Sequence, residues 1–299
     1  MTASAENRRA TPAGPALQAL ETLGAVDAPA KAIAATVRKV TSPIALKEAL
    51  SGTWLGHAVH PLLTDVVIGS FLSATMLDVL GGDKDGRAAR RLIAIGVAAY
   101  PPTALTGASD WADSEPADDG VRRVGLVHAA VNATALSLYG ASYAARRRGA
   151  RARGVALGLA GAGALGAAAY LGGHLTLAKG VGADQTVFDP GPTDWTPAGD
   201  ATDLVVGRPT RVVVDETPVL LLRDGEELFA LHDRCSHRGC SLADGTVEGD
   251  EIVCSCHGSR FARADGAVRG GPATAPQPAF EVREAGGRLE VRRRLPSTA

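Results

Sequence analysis

The chain has 299 residues with 31 basic and 32 acidic side chains, and its formal net charge of −1 excludes the broad basic field by which proteins hold nucleic acid. That length points to two domains rather than one. Hydrophobic residues make up 45% of the composition but concentrate between about 57 and 175, whereas residues 200–295 alternate Val and Leu with charges, so lipid is the expected solvent of the first half and water that of the second.

The opening MTASAENRRATPAGP is polar and leads into no long apolar core, so no cleavable signal peptide is expected there and residues 1–15 are expected to be disordered. The rest of an N-terminal segment spanning 1–56 reads as helical. In KAIAATVRKV, Ile33, Val37 and Val40 share a helical face and Lys31, Arg38 and Lys39 lie off it, which fits a helix on a membrane surface and an ordinary surface helix alike.

Residues 57–80 form a first apolar run long enough to cross about 30 Å of hydrocarbon. Three more follow, from residues 91, 124 and 154, so 57–175 reads as a four-helix transmembrane bundle. A soluble bundle is the alternative, but soluble helices normally carry a polar face. Pro101 and Pro102 are expected to kink or break the second helix unless neighbours satisfy the freed carbonyls, and Gly154 and Gly158 suit close packing in the fourth.

Lys84, Arg87, Arg90 and Arg91 follow the first helix, and Arg146, Arg147, Arg148, Arg151 and Arg153 follow the third, so both connections are expected to be cytoplasmic and both termini extracytoplasmic. Arg38, Lys39 and Lys47 before the first helix count against that assignment. The run RRRGARARGVALGLAGAGALGAA from 146 resembles an internal twin-arginine export signal, and a positive-inside anchor explains it equally well.

A Gly/Pro-rich tether is expected over 176–201, followed over 202–296 by short strands: TRVVVD, VLLLR, ELFALHD, EIVC, FEVRE and RLEVRR. They predict a small antiparallel sandwich or barrel, making the whole chain a multidomain protein with an all-α membrane bundle followed by an all-β domain. All four cysteines fall in CSHRGC, at 235–240, and CSCHGS, at 254–259. By spacing alone such loops also suit zinc. Cys235-x-His237, sixteen intervening residues and Cys254-x-x-His257, joined by GGPATAPQP at 270–278, resemble the Rieske family, in which two cysteines bind one iron and two histidines the other iron of a [2Fe-2S] cluster.

That resemblance covers the last third of the chain and implies Cys235, His237, Cys254 and His257 as metal ligands. It also implies a disulfide between Cys240 and Cys256, as in quinol-oxidising members, which requires an oxidising compartment. Ser259 matches a serine that hydrogen-bonds the cluster, whereas Phe261 stands where a tyrosine supplies a second bond and Arg238 replaces an apolar residue. A reduction potential below the top of the window of about −150 to +300 mV is therefore expected. His232 is expected to be structural.

His57, His60, His128 and His174 fall at helix ends on one side of the bundle, with Asp65 and Asn132 below His60 and His128. Two of His60, His128 and His174 are candidates to ligate a b-type haem or to line a quinone site, and an interfacial role is the plain alternative. HPLLTD and LGGH resemble a family of uncharacterised four-helix bacterial membrane proteins that often precede Rieske domains.

The expected function is a membrane-anchored [2Fe-2S] electron carrier at the extracytoplasmic surface, with membrane lipid and redox partner proteins or quinone as partners. A quinol-oxidising or haem-containing module and a redox sensor are the alternatives. An oxygenase is a poor candidate, because a second domain with mononuclear iron has no stretch left to build it.

Overall fold

The structure, a computed structural model, describes residues 13–294. Its contacts divide the chain into two units, one running to Thr41 and resuming over Val59–Val181, the other made of Ser42–Ala58 and the chain from Gly182 on. The disorder expected for residues 1–15 lies almost wholly outside the described residues.

In the first unit, α1 (Gly14–Glu21) and α2 (Asp27–Val40) precede four long helices: α4 (Val59–Leu80), α5 (Gly86–Ser114), α6 (Asp119–Arg147) and α7 (Arg151–Gly173). The short α3 (Ile44–Ser51) lies between α2 and α4 in sequence but packs with the second unit. All four long helices are long and apolar enough to cross a membrane, α7 running on through a π turn to Ala178. Their packing rests on one aromatic layer. Phe71 of α4 stacks on Tyr139 of α6 with ring centroids 4.0 Å apart. Glycines admit both rings, since a Cβ at Gly96 of α5 would stand 2.5 Å from the Phe71 ring and one at Gly161 of α7 would stand 3.0 Å from Tyr139.

At one end of the bundle Arg146 makes a two-point ion pair with Asp78, both side chains buried, and its Nε donates to Ser142 Oγ at 3.1 Å. Gly154 and Gly158 line this site, where a Cβ at Gly154 would meet the Arg146 side chain at 2.5 Å. At the other end Arg122 pairs with buried Glu115 at 2.6 Å, Arg123 holds Asp27, and Arg38 donates to Glu115 at 2.9 Å. Charge thus finds charge at both ends of an otherwise apolar unit, as burial demands.

Neither proline ends the second long helix, and the apolar stripe of α2 is open as either reading of that helix allows. Helix α5 continues through Pro101 and Pro102 as one element, and within that turn Thr103 Oγ1 donates to Ala99 O at 2.8 Å. Helix α2 buries Ala30 and Ala34, leaving Ile33 and Val40 exposed, because its ion pairs to α5 and α6 set its roll.

The second unit is two antiparallel sheets. Strands β1 (Thr196–Asp200), β2 (Thr210–Val214), β3 (Thr217–Asp224), β4 (Glu227–His232), β9 (Ala279–Ala285) and β10 (Arg288–Arg293) form a six-stranded sheet in the order β1-β10-β9-β4-β3-β2. Strands β5 (Thr246–Glu248), β6 (Glu251–Val253), β7 (Arg260–Ala262) and β8 (Val268–Gly270) form a four-stranded one in sequence order. The VLLL run of β3 is explained by burial on both faces: Val219 and Leu221 enter one core with Phe280 and Leu289, Leu220 and Leu222 another with Ile252 and Phe261. The stretch expected as a tether is laid along this unit, with Gln185 N donating to Ser236 O, Arg293 N to Pro192 O, and β1 pairing with β10.

Candidate metal centre

Two loops carry the candidate ligands, one leading from the six-stranded sheet into the four-stranded one and one within the latter. The first follows β4 and holds Cys235 to Cys240, and the second joins β6 to β7 and holds Cys254 to Ser259. They have the same backbone plan. In each, the amide of the first cysteine donates to the carbonyl five residues on, Cys235 to Cys240 and Cys254 to Ser259, both at 2.8 Å. The glycine in between donates back, Gly239 to Cys235 and Gly258 to Cys254. Both glycines have positive φ, 78° and 74°, the left-handed turn that glycine adopts without strain.

A third loop, from Gly271 to Pro278, closes over them. Ser236 Oγ donates to Ala275 O at 2.9 Å and Ser236 N to Gln277 Oε1 at 3.0 Å, while Gln277 Nε2 donates to the carbonyls of His232 and Arg234. At the second loop, Gly271 is pressed so close that a Cβ would stand 2.6 Å from Ser259 Cα, and its φ of +79° also suits only glycine.

These loops bring together Cys235, His237, Cys240, Cys254, Cys256 and His257. Cys240 and Cys256 form a disulfide linking the two ligand loops, with Cα atoms 6.5 Å apart. Cys235 and Cys254 are free and buried. The imidazoles of His237 and His257 meet edge to face with centroids 5.1 Å apart. The sulfurs of Cys240, Cys254 and Cys256 lie within 4.8 Å of one another, but two of them are spent in the disulfide. Two thiols and two imidazoles remain as donors.

Their electrostatics suit metal binding. Cys254 is brought down to about 7 chiefly by the hydrogen bond from the Cys235 thiol, aided by the amides of Cys256 and His257, while the same contact and burial push Cys235 up. The pair shares a proton that a metal displaces. Burial holds His237 well below its ordinary value, with the charges of Arg238, His257 and Lys47 adding to it, so its imidazole is neutral near pH 7, the form that ligates. Ser259 Oγ is fully buried and makes no hydrogen bond among the described residues, so a hydroxyl is left for an acceptor that the protein does not provide. A [2Fe-2S] cluster, whose sulfurs accept hydrogen bonds and whose irons take two thiolates and two imidazoles, fits this donor set and supplies one-electron redox chemistry when bound. Phe261 is buried in the core, so no hydroxyl is offered from that position.

His232 is buried beneath the first loop. Its Nδ1 accepts the Arg234 amide at 3.1 Å, which places the ring proton on Nε2, 3.2 Å from Asp189 Oδ2. Asp189 in turn accepts from Thr217 Oγ1 at 2.6 Å.

The four candidate histidines have different surroundings. His57 is exposed and belongs to the second unit. His174 Nε2 lies 2.9 Å from Glu21 Oε1, a carboxylate that also meets Lys179 Nζ at 3.5 Å. His60 and His128 are alike: each directs Nδ1 to a backbone carbonyl of a neighbouring helix, Thr103 O at 3.0 Å and Ala168 O at 2.9 Å, so Nδ1 carries the proton and Nε2 the lone pair. Each is seated against a glycine, Gly107 and Gly172 respectively. Asn132 Nδ2 donates to His128 Nε2 at 3.1 Å, and Asp65 is exposed.

Comparison with known proteins agrees with this geometry. Residues 194–281 match the Rieske [2Fe-2S] domain, and residues 56–185 match a predicted membrane protein family, DUF2231. Over 98 residues the chain is 33% identical to the anthranilate 1,2-dioxygenase ferredoxin subunit of Burkholderia cepacia, covering 33% of this chain and 91% of that protein. It is 35% identical to ferredoxin CarAc of Metapseudomonas resinovorans, covering 32% and 92%. A solved structure, the ferredoxin of carbazole 1,9a-dioxygenase from Nocardioides aromaticivorans IC177, aligns with 29% identity and a TM-score of 0.32 over 34% of this chain and all of that one. The Rieske match and the two ferredoxin relatives support electron transfer and a [2Fe-2S] cluster and give no support to the haem or quinone expected at the membrane histidines. The chain belongs to the Rieske [2Fe-2S] family through its C-terminal part, which follows a domain of the predicted membrane protein family DUF2231.

Proposed function

We propose that the chain is a membrane-anchored one-electron carrier whose α4–α7 helices hold the Rieske unit at the extracytoplasmic surface. Cys235 and Cys254 bind one iron of the cluster and His237 and His257 the other. The partner is a redox protein, as the ferredoxin relatives are named for the dioxygenases they belong to. The observation that carries the extracytoplasmic side is the Cys240–Cys256 disulfide, because such bonds persist in oxidising compartments. The arginines after α4 and α6 support the same side. Arg146 is withdrawn from that count by its pairing with Asp78, but Arg147, Arg148 and Arg153 remain. Protease added to intact spheroplasts is expected to remove the Rieske unit. Full protection, with cleavage only after lysis, would place it in the cytoplasm.

A second reading is favoured by the matched settings of His60 and His128. With Nδ1 held by a carbonyl, each carries its lone pair on Nε2, the arrangement used by ligating histidines, and the Asn132 amide on His128 Nε2 would give way to a ligand. In this reading the pair, without His174, holds a redox ligand in the membrane unit. A Soret band in detergent-solubilised protein, or reduction of the cluster by added quinol, is the expected result; loss of neither on replacing His60 and His128 by alanine refutes it.

A further inference from the structure

The segment Ser42–Ala58 departs from the helical unit after α2, packs with the Rieske unit and returns to begin α4. It is fastened to the third loop at backbone positions. Glu48 Oε1 of α3 accepts the Gly271 amide at 3.0 Å, and Thr53 Oγ1 donates to Gly271 O at 2.5 Å and lies 3.4 Å from Ala273 O. Gly270 leaves the space for this contact, since a Cβ there would stand 2.9 Å from Glu48 Oε1. Gly271 touches the second ligand loop on its other side, and Ala275 and Gln277 hold the first. The segment is therefore joined through one loop to both pairs of cluster ligands.

Lys47, the neighbour of Glu48, is only 7% exposed, although lysine is seldom buried in a water-soluble domain. Through Glu48 it stands one residue from the loop that closes over both ligand loops. Reduction of a [2Fe-2S] cluster adds one negative charge, and a fixed cation screened from water favours that state.

We propose that Ser42–Ala58 is a strap seated on the loop covering the cluster, and that Lys47 on this strap is a positioning residue that raises the cluster's affinity for its electron. This rests on the Cys235, His237, Cys254 and His257 reading of the site. The strap gives the helical unit's own connection a part in setting the redox properties of the domain that follows it by well over a hundred residues. Glu48 opposes Lys47 in charge but anchors the strap, so its removal mixes two effects of opposite sign, and Thr53 provides the charge-neutral anchor for a test.

The experiment is a redox titration of the full-length chain followed by electron paramagnetic resonance. Lys47→Gln is expected to lower the reduced-to-oxidised ratio at fixed poise roughly tenfold, the scale of a unit charge acting across a protein interior, which for one electron is about 59 mV. Lys47→Arg retains the charge and stays near wild type. Thr53→Val shifts the potential in the same direction as Lys47→Gln and increases hydrogen exchange at 44–55. An unchanged potential in Lys47→Gln, or equal shifts in the Gln and Arg variants, overturns the proposal. So does a Thr53→Val chain that loses protection at 44–55 and keeps the wild-type potential. The wild-type chain gives a test that no misfolded variant can obscure, because a Gly271 amide exchanging at the rate of an unstructured peptide rules out a seated strap. Absence of the cluster signal in wild type refutes the cluster reading itself, and is seen before any variant is made.

Discussion

Ser259 and Phe261 stand two residues apart and have opposite consequences for the potential. Ser259 Oγ is buried without a partner among the described residues, so in the proposed cluster site its hydrogen bond would fall to a cluster sulfur, whereas Phe261 offers none. Ser259→Ala is expected to lower the midpoint potential and Phe261→Tyr to raise it, both read in a titration of the solubilised protein; an unchanged midpoint in Ser259→Ala shows that the hydroxyl does not reach the cluster. His232 makes a separate prediction about pH. Burial depresses it below 6.5, with the Asp189 hydrogen bond and charge only partly offsetting this, so over that interval the folded domain binds fewer protons than the unfolded chain. Stability is then fully present above about pH 6.5 and falls as pH drops through the depressed value. His232→Gln should flatten that acid limb in chemical denaturation of the full-length chain. Turn residues supply a third case: Asp215 and Glu216 hold positive φ, 45° and 70°, between β2 and β3, where neither is glycine. Glu216→Gly is expected to stabilise the unit by about 1 kcal/mol, relieving left-handed strain, as measured by denaturant midpoint.

Among the elements, the ion pair between Asp78 of α4 and Arg146 of α6 predicts an asymmetry. Asp78→Ala alone strands a buried guanidinium and should cost about 3–5 kcal/mol, whereas replacing both partners by apolar residues of similar volume should cost far less. Thermal unfolding in detergent distinguishes the two, and equal losses would mean that Arg146 finds water or another acceptor. The disulfide makes a matching prediction for the loops: Cys240→Ser with Cys256→Ser should cost about 2–4 kcal/mol and shed the cluster sooner on heating. How far such elements could be read in advance depends on the range of the forces that make them. The ligand loops were legible because every donor lies within six residues of its partner on the same loop, and the turn glycines beside them are written into both motifs. The four long helices were legible from unbroken apolar length. Helix α3 was not, since eight residues carry little periodicity and its fastening, Glu48 to Gly271, spans 223 residues of sequence. The roll of α2 was hidden for a similar reason. Its stripe of Ile33, Val37 and Val40 was legible, but the ion pairs with distant Glu115 and Arg123 that fix its other side were not. Strand β1 was lost inside a Gly/Pro-rich stretch whose pairing is supplied by β10 at the far end of the chain. The histidine layer was legible as positions but not as partners: only contacts show that His174 is held by Glu21 while His60 and His128 lean on carbonyls.

At the scale of the whole molecule, the route of the backbone matters more than any contact within it. The chain leaves the helical unit at Thr41, comes back at Val59, and leaves again at Val181. A domain on one leash sweeps freely and delivers its electron by travelling. Here three passages of chain join the redox domain to the helical unit, and the stretch read as its leash is bonded along its own flank. A protease site engineered between residues 182 and 190 offers a direct check. After the cut, residues 42–58 are no longer covalently joined to the Rieske sheets, yet the severed domain should stay with the membrane fraction at moderate salt, and its immediate release into the wash would show a single point of attachment. If the strap is seated as proposed, added length in the 182–190 segment should leave the rate of cluster reduction by a partner unchanged, which stopped-flow measurement at several partner concentrations reads.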